Sequence, residues 1–364
     1  MGFQTVLAVL LALSCSAGFI LFRKNAVPIV RRPFSAAGKL SVIIPARNEE
    51  KSLPFLLESL RRQSLPPHEI IVVDDASEDR TKEIAESCGV ETIENPPLPP
   101  GWTGKNWAVW NGYARSSGDL IAFLDADVRL APHALESLLA ARERTGGVIS
   151  VVPFHHTEKL YERLALIPNI LGIFAFTSPF EKNNPQKGLY GSCIFAKRAD
   201  YDRAKGHEGV KSELLDDLSL GANFAKAGIP VTNFIGRGLV SFRMYPGGIR
   251  SEVEGFGKGA ALSAGKLSLK TVLLTAFWLA GLLAAEAAPF FLHTPAGLPL
   301  AAGYLLFTLQ MIYFVNYTGR FGKWMPLLHP LSTAFFLFVM LYSLYRVLFV
   351  GRVAWKGRDI DLGG

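Results

Sequence analysis

An uninterrupted apolar run, Leu120-Ile121-Ala122-Phe123-Leu124, ends in two acids one residue apart, Asp125 and Asp127. On a continuing strand their carboxylates would point to opposite faces, and one would be buried without a partner. The chain therefore turns here, and both acids converge at the carboxyl end of a strand, where open α/β sheets bind ligands. Hard oxygen donors beside a diphosphate suit Mg²⁺ or Mn²⁺, which prefers one or two carboxylates plus phosphate oxygens. A second acidic end, Asp74-Asp75, closes Ile70-Ile71-Val72-Val73, and a third pair, Asp216-Asp217, interrupts the helical pattern between Ser212 and Gly228. Two Asp inside a helix oppose its propensity and cost desolvation if they face inward. Such departures from local rules concentrate at functional sites. Lys105 follows the Pro-rich loop Glu94–Gly104; its ammonium is placed either to meet phosphate oxygens as a point charge or to lie in solvent at a helix start.

The elements that must hold these groups are legible as alternating strands and helices. Leu40–Pro45 reads as a strand and Ala46–Glu50 as a turn into a helix near 51–62. After the Asp74-Asp75 strand, Ser77 reads as the cap of a helix with Glu78 and Asp79 in its first turn. A helix runs from about Lys105 to Arg115, before the Asp125/Asp127 strand, and Val148–Val152 is a further strand. This order gives an α/β class, a Rossmann-like, mostly parallel sheet flanked by helices. Neither Gly-x-Gly-x-x-Gly nor a Walker Lys is present, which weakens dinucleotide and P-loop readings. His155-His156 are neighbours and face apart, so a surface loop is expected there rather than a metal site. Trp102, Trp107 and Trp110 read as packing residues, one of which could line a sugar pocket.

Composition adds a second requirement. The 364 residues are 49% hydrophobic, and the excess is concentrated in segments long enough to span a hydrocarbon core at about 1.5 Å per residue. These are Phe3–Phe22, Thr271–Leu292, Ala296–Gly319 and Leu327–Val350. The first lacks a basic leader and is followed by Arg23, Lys24, Arg31 and Arg32, the pattern of an uncleaved anchor with its N-terminus outside. The expected layout is an anchor over 1–24, a cytosolic catalytic domain over 38–265, apolar helices over 271–350 and a basic tail over 351–364. Within the domain, 157–180 is expected to be interfacial: its apolar core, Leu164–Phe176, is too short to span and too apolar for a soluble surface, and reads as an interfacial or re-entrant piece or a wall of a lipid tunnel. Glu286 and Arg346 need partners or an interface. By charge the tail belongs in the cytoplasm, although four full crossings would put it outside, so one segment is expected to be re-entrant. The formal net charge of +7 lies beside membrane segments and not in runs interleaved with aromatics, so lipid headgroups and not nucleic acid are the expected partner. Three scattered cysteines indicate neither a disulfide framework nor a zinc site.

Four motifs in order carry a family resemblance: Ile44-Pro45-Ala46-Arg47-Asn48-Glu49, Val73-Asp74-Asp75-Ala76-Ser77-Glu78-Asp79, Asp125-Ala126-Asp127, and Asp216-Asp217-Leu218-Ser219-Leu220. From about Leu40 to Lys270 the chain resembles the family 2 glycosyltransferases, whose catalytic domain has the GT-A fold. Trp102–Ala108, Phe242-Arg243-Met244-Tyr245 and Trp355-Lys356-Gly357-Arg358 extend the likeness to membrane-bound carotenoid-acid glycosyltransferases of the diaponeurosporenoate type, with hopanoid-associated enzymes next. The resemblance implies that Pro45, Arg47, Glu49, Asp74 and Asp75 hold uridine. It further implies that Asp125 and Asp127 bind ribose and metal (Mg²⁺ or Mn²⁺), and that Lys105 and Arg243 meet diphosphate or acceptor. Asp217, with Asp216 beside it, would supply the base. Processive relatives carry Gln-x-x-Arg-Trp where this chain has Glu252-Val253-Glu254-Gly255-Phe256, which points to a single transfer. The expected activity is inverting transfer of a sugar, glucose first, from a UDP-sugar to a membrane lipid. A carotenoid acid is the first candidate acceptor; a lipid hydroxyl or polyprenyl phosphate, or a non-catalytic nucleotide-sugar scaffold, are the alternatives. A carboxylic acid acceptor is already ionised near pH 7 and needs a cation such as Arg243 more than a base, so the intact acid pair leans toward a hydroxyl. The oligomeric state is not legible.

Overall fold

The computed structural model describes residues 2–30, 38–258, 264–350, 352–355 and 358–361. Arg31, Arg32, part of the Gly-rich stretch before Gly265, and Lys356-Gly357 of the tail lie outside the described residues. The chain divides into two compact units: Met1–Lys24, His155–Asn184 and Tyr245–Leu344 form one, and Asn25–Phe154, Pro185–Met244 and Tyr345–Gly364 the other.

The second unit is built on strands β1 (Leu40–Ala46), β2 (Glu69–Asp74), β3 (Glu91–Glu94), β4 (Leu120–Leu124), β6 (Val148–Val152), β8 (Cys193–Lys197) and β9 (Val231–Ile235), in spatial order β3-β2-β1-β4-β8-β6-β9. The β1–β2, β2–β3, β1–β4 and β6–β9 pairs are parallel; β8 runs antiparallel to both neighbours. The apolar runs of β1, β2 and β4 are buried on both faces, as a sheet covered by helices requires. Helices α2 (Leu53–Arg61), α3 (Thr81–Ser87), α4 (Gly104–Arg115), α5 (Ala134–Thr145), α7 (Arg198–Arg203) and α8 (Asp216–Lys226) supply that cover. The order reverses at β1, whose two neighbours are β2 and β4; the crevice above this switch point is where such sheets bind ligands. A short pair in a separate sheet, β5 (Val128–Leu130) with β10 (Val240–Phe242), runs antiparallel.

Helix α4 lies close on the sheet because Gly112 has no side chain. A Cβ there would sit 2.5 Å from Ile43 Cγ2 and 2.9 Å from Val73 Cγ2, both on fully buried residues. Gly112→Val is expected to destabilise the unit by about 1–3 kcal/mol through overpacking. A lowered denaturation midpoint of the detergent-solubilised protein checks this; an unchanged midpoint would mean that α4 can lift freely.

Four helices are long and apolar enough to cross a membrane: α1 (Phe3–Leu21), α10 (Leu269–Glu286) and α12 (Gly297–Thr318), all in the first unit, and a last span, His329–Val350, which lies in that unit as far as Leu344. The last comprises α13 (His329–Tyr345) followed by a wider turn, Arg346–Val350. A short helix, α11 (Ala288–Phe291), separates α10 from α12. Small residues let α1 and α10 approach: a Cβ on Gly18 would lie 2.5 Å from Trp278 Nε1, and one on Gly281 only 1.8 Å from Ser14 Oγ. Trp278 Nε1 donates to Gln310 Oε1 (2.7 Å), and Gln310 Nε2 donates to the Cys15 carbonyl (2.6 Å), so three helices share one buried polar chain. Glu286 is paired: its Oε1 lies 2.6 Å from His329 Nδ1 and accepts from Thr333 Oγ1 at 2.7 Å.

The Leu164–Phe176 stretch forms helix α6 (Leu166–Thr177), with Phe174 fully buried edge-on against Trp278 and Phe314. Ser332 Oγ ties its start, accepting from Ile167 N and donating to the Leu164 carbonyl. The expectation of a surface loop at His155-His156 is corrected. His155 lies on strand β7 (Phe154–His156), which pairs with Gly319-Arg320 (β11); it is 1% exposed and bonded to Asn169. Burial pushes its imidazole down to about 4. Helix α9 (Ile249–Gly257) carries the Glu252–Phe256 segment. The tail forms a further antiparallel pair in the second unit, Arg352–Trp355 (β12) with Arg358–Asp361 (β13).

Candidate active site

Three acidic strand or helix ends meet at the carboxyl rim of the sheet. After β1, Arg47 Nη1 donates to the carbonyls of Asp75 (2.6 Å) and Ala76 (3.1 Å), tying the β1 turn to the β2 turn. Asn48 and Ala76 both adopt left-handed backbone, with φ of 53° and 54°. Each turn supports the other: Asn48 N donates to Ser77 Oγ (3.1 Å), and Glu78 N donates to Asn48 Oδ1 (2.9 Å). Glu49 N donates to Thr81 Oγ1 (2.7 Å). Ser77 is thus a clasp between turns and not the expected helix cap, and α3 begins four residues later, at Thr81. Left-handed non-glycine residues are rare and persist where their surroundings over-determine them. Pro45, the penultimate residue of β1, is registered opposite Val73, and Asp74 Oδ2 accepts from Ser77 N at 3.2 Å. Asp75 Oδ1 accepts from Asn95 Nδ2 (2.9 Å), and Asn95 Oδ1 accepts from Asn111 Nδ2 on α4 (2.9 Å).

Beyond β4, Val128 N donates to the Asp125 carbonyl (3.1 Å), the turn that the paired carboxylates demanded. Asp125 N donates to the Ser192 carbonyl (3.0 Å), and Gly191 N donates to Asp217 Oδ2 (3.0 Å), linking the β4 end to the start of α8. Arg243 follows β10, and its N–H donates to the Asp127 carbonyl (3.4 Å). The Asp216-Asp217 pair occupies the first turn of α8 and not a helix interior. The free N–H groups and positive dipole end of that turn favour acids, which removes the supposed conflict with propensity. Asp217 Oδ1 also takes the Leu218 N–H at 2.9 Å, so both its oxygens are oriented by backbone donors.

Lys105 stands where these ends meet. Thr103 caps α4, and Lys105 Nζ lies 2.8 Å from Asp125 Oδ1. Burial alone would lower the Lys105 pKa; the charges of Asp125, Asp216 and Asp217 outweigh it and hold the ammonium raised. The cluster also contains His207, which the order of residues did not single out: its Nε2 is 3.9 Å from Asp216 Oδ2. The carboxylates of β4 and α8 therefore gather around Lys105, and those of β2 lie at the same carboxyl rim of the sheet, two strands from β4. This is the architecture of the GT-A fold.

Comparison with known proteins agrees. Residues 41–203 match Glycosyl transferase family 2. The 4,4'-diaponeurosporenoate glycosyltransferase of Staphylococcus haemolyticus (strain JCSC1435) is 32% identical over 363 residues, covering 96% of each chain. The protein of the same name from Staphylococcus aureus (strain USA300) is 30% identical, covering 98% of this chain and 97% of its own. Among solved structures, a mannosyltransferase from Pyrobaculum calidifontis in complex with GDP-Man and Mn²⁺ shares the fold, with a TM-score of 0.54 at 16% identity over 94% of this chain and 99% of that one. The chain belongs to glycosyl transferase family 2, and it is an enzyme that transfers a glycosyl group.

Proposed function

We propose that the protein transfers a sugar, glucose in the first instance, from a UDP-sugar to a lipid acceptor in the cell membrane, with inversion at the anomeric carbon. The observation that carries this reading is the meeting of Lys105, Asp125, Asp216 and Asp217 at one sheet rim, in a chain that also has four apolar helices of membrane-spanning length. The full-length likeness to diaponeurosporenoate glycosyltransferases makes a carotenoid carboxylic acid the first acceptor to test. Arg47, Glu49, Asp74 and Asp75, with Pro45, form the turns suited to a uridine. Lys105 and Arg243 are the cations for a diphosphate or an acidic acceptor. In this reading the catalytic unit and the loop with Arg320 and Lys323 are cytoplasmic, in a multi-pass protein.

A divalent ion fits the donor set, because Asp125 and Asp127 offer hard oxygens at a turn; the pairing of Asp125 with the Lys105 ammonium supports a site for positive charge. Asp127 and Asp125 would hold Mg²⁺ or Mn²⁺, which when bound offsets negative charge growing on the departing diphosphate. Asp217 is the base: its carboxylate is aimed by Gly191 N and Leu218 N, and it takes the acceptor proton as the acceptor oxygen attacks and UDP departs. A carboxyl delivered from the bilayer holds its proton to higher pH than one in water, because desolvation disfavours the anion. Below that raised pKa a carboxyl acceptor, like a hydroxyl, presents a proton for Asp217 to remove; above it the acceptor is already ionised.

The test is to incubate membranes containing the protein with UDP-glucose and a lipid extract. Released UDP that tracks a new glycolipid is expected. UDP-glucose binding without UDP release would replace the transferase reading with that of a scaffold.

A further inference from the structure

Behind the Asp216/Asp217 pair stands a histidine to which the proposed reaction gives no task. His207 follows a tight turn in which Lys205 and Gly206 have φ of 61° and 41°. A Cβ on Gly206 would lie 2.3 Å from the Tyr201 ring, so only glycine lets the turn close over that tyrosine. The Tyr201 hydroxyl oxygen accepts the His207 backbone N–H at 2.9 Å and lies 2.8 Å from His207 Nδ1. With the oxygen already accepting, its own O–H is left to donate to Nδ1, which assigns the imidazole proton to Nε2.

That Nε2 faces Asp216 Oδ2 at 3.9 Å. The ring is 3% exposed and packs edge-on against Phe123, with centroids 5.2 Å apart. Burial pushes the imidazole down to about 4, against the pull of Asp216, and Lys105 acts in the same direction as burial. The ring is therefore neutral at working pH, a fixed N–H donor and not a charge. A separation of 3.9 Å exceeds a hydrogen bond, and such contacts commonly tighten only when substrate is bound.

We infer that His207 is a positioning residue: oriented by Tyr201, its Nε2 is directed at Asp216 and donates to that carboxylate once substrate is bound, which sets the carboxylate pair against Lys105 for the transfer step. The inference rests on the proposed roles of Asp216 and Asp217. It assigns a use to the polar chain Tyr201–His207–Asp216, of which only the last member borders the reacting groups. The logic is that of a catalytic acid or base whose orientation is fixed by a hydrogen-bonding partner outside the reaction.

The experiment compares UDP release with lipid extract at pH 6.5 for wild type, His207→Phe, His207→Gln, Asp216→Asn, Asp217→Asn and the His207→Phe/Asp216→Asn double variant. Phe keeps a ring against Phe123 but has no N–H; Gln restores a donor near the Nε2 position. His207→Phe is expected to lower kcat by about 10- to 100-fold with the donor KM within threefold of wild type, at an unchanged thermal midpoint. His207→Gln is expected to recover most of that loss. The double variant should be no slower than Asp216→Asn alone, because both changes break one linkage. The inference is overturned by wild-type kcat in His207→Phe, by a loss that Gln does not restore, or by losses that multiply in the double variant. Failure of the underlying reading looks different: Asp216→Asn and Asp217→Asn would then both retain wild-type turnover.

Discussion

Asp217→Asn is expected to lower transfer to a lipid hydroxyl by about 10²- to 10⁴-fold, the range general base catalysis contributes. Binding of the UDP-sugar should stay nearly intact. The amide keeps the shape of the carboxylate and its one oxygen can still accept from Gly191 N, at the expense of the Leu218 N bond, but it cannot take a proton. A hydroxyl holds its proton at every accessible pH, so its loss of rate should not vary with pH. A carboxyl acceptor behaves differently. Its pKa is raised by the bilayer, yet as pH rises through that value it ionises unaided and the base becomes unnecessary. Transfer by the Asn variant should then recover toward wild type as pH rises, and the defect should be confined to the acid side. The shape of the ratio of variant to wild-type kcat against pH thus distinguishes the two acceptor classes. Wild-type rates for the variant across the whole range, including pH 6, would remove Asp217 from the role of base.

What was legible in the chain, and what was not, divides by the distance over which the physics acts. Asp125 and Asp127 stood out because a strand buried on both faces cannot end in two opposed carboxylates, a constraint contained in eight consecutive residues. The parallel core followed from the apolar runs of β1, β2 and β4, and the family motifs supplied the order of the acidic ends. Ser77 was misread because its neighbours Glu78 and Asp79 imitate a first helical turn, whereas its hydroxyl is engaged by Asn48, 29 residues earlier. Asp216-Asp217 seemed to interrupt a helix because the apolar spacing continues upstream of it; the backbone enters the helix only at Asp216, so the acids meet free N–H groups. His155 appeared solvent-exposed because nothing nearby in sequence shows its pairing with Gly319 or its bond to Asn169. His207 and Asn95 escaped for the same reason. A lone histidine after Lys-Gly, or an asparagine in a Pro-rich loop, acquires meaning only when folding brings Tyr201, Asp216 or Asp75 against it. Local patterning specified the scaffold and the charged groups; the neutral donors that orient them are set by long-range contacts.

Asp127→Ala is expected to weaken Mn²⁺-dependent binding of UDP by at least about 10-fold, since removing a ligand should cost no less than the 10- to 100-fold typical of changes to the groups behind ligands. The position is informative because Asp125 and Asp127 sit on the same turn but in different company. Asp125 is bound to Lys105 at 2.8 Å, so part of its charge is offset without any metal. Asp127 shares its turn with Arg243, whose backbone N–H donates to the Asp127 carbonyl. Because Asp125 already shares its charge with Lys105, Asp125→Asn should show the smaller loss. Titrating UDP into each variant by calorimetry, with Mn²⁺ and with EDTA, separates metal-dependent from metal-independent affinity and needs no acceptor. The EDTA values should be alike in wild type and Asp127→Ala, because the Arg47–Asp75 turns suited to the nucleoside lie on β1 and β2 and are untouched by the change. Equal Mn²⁺ dependence in the two proteins would take Asp127 out of the metal site, and a fall in the EDTA values alone would assign it to the nucleotide instead.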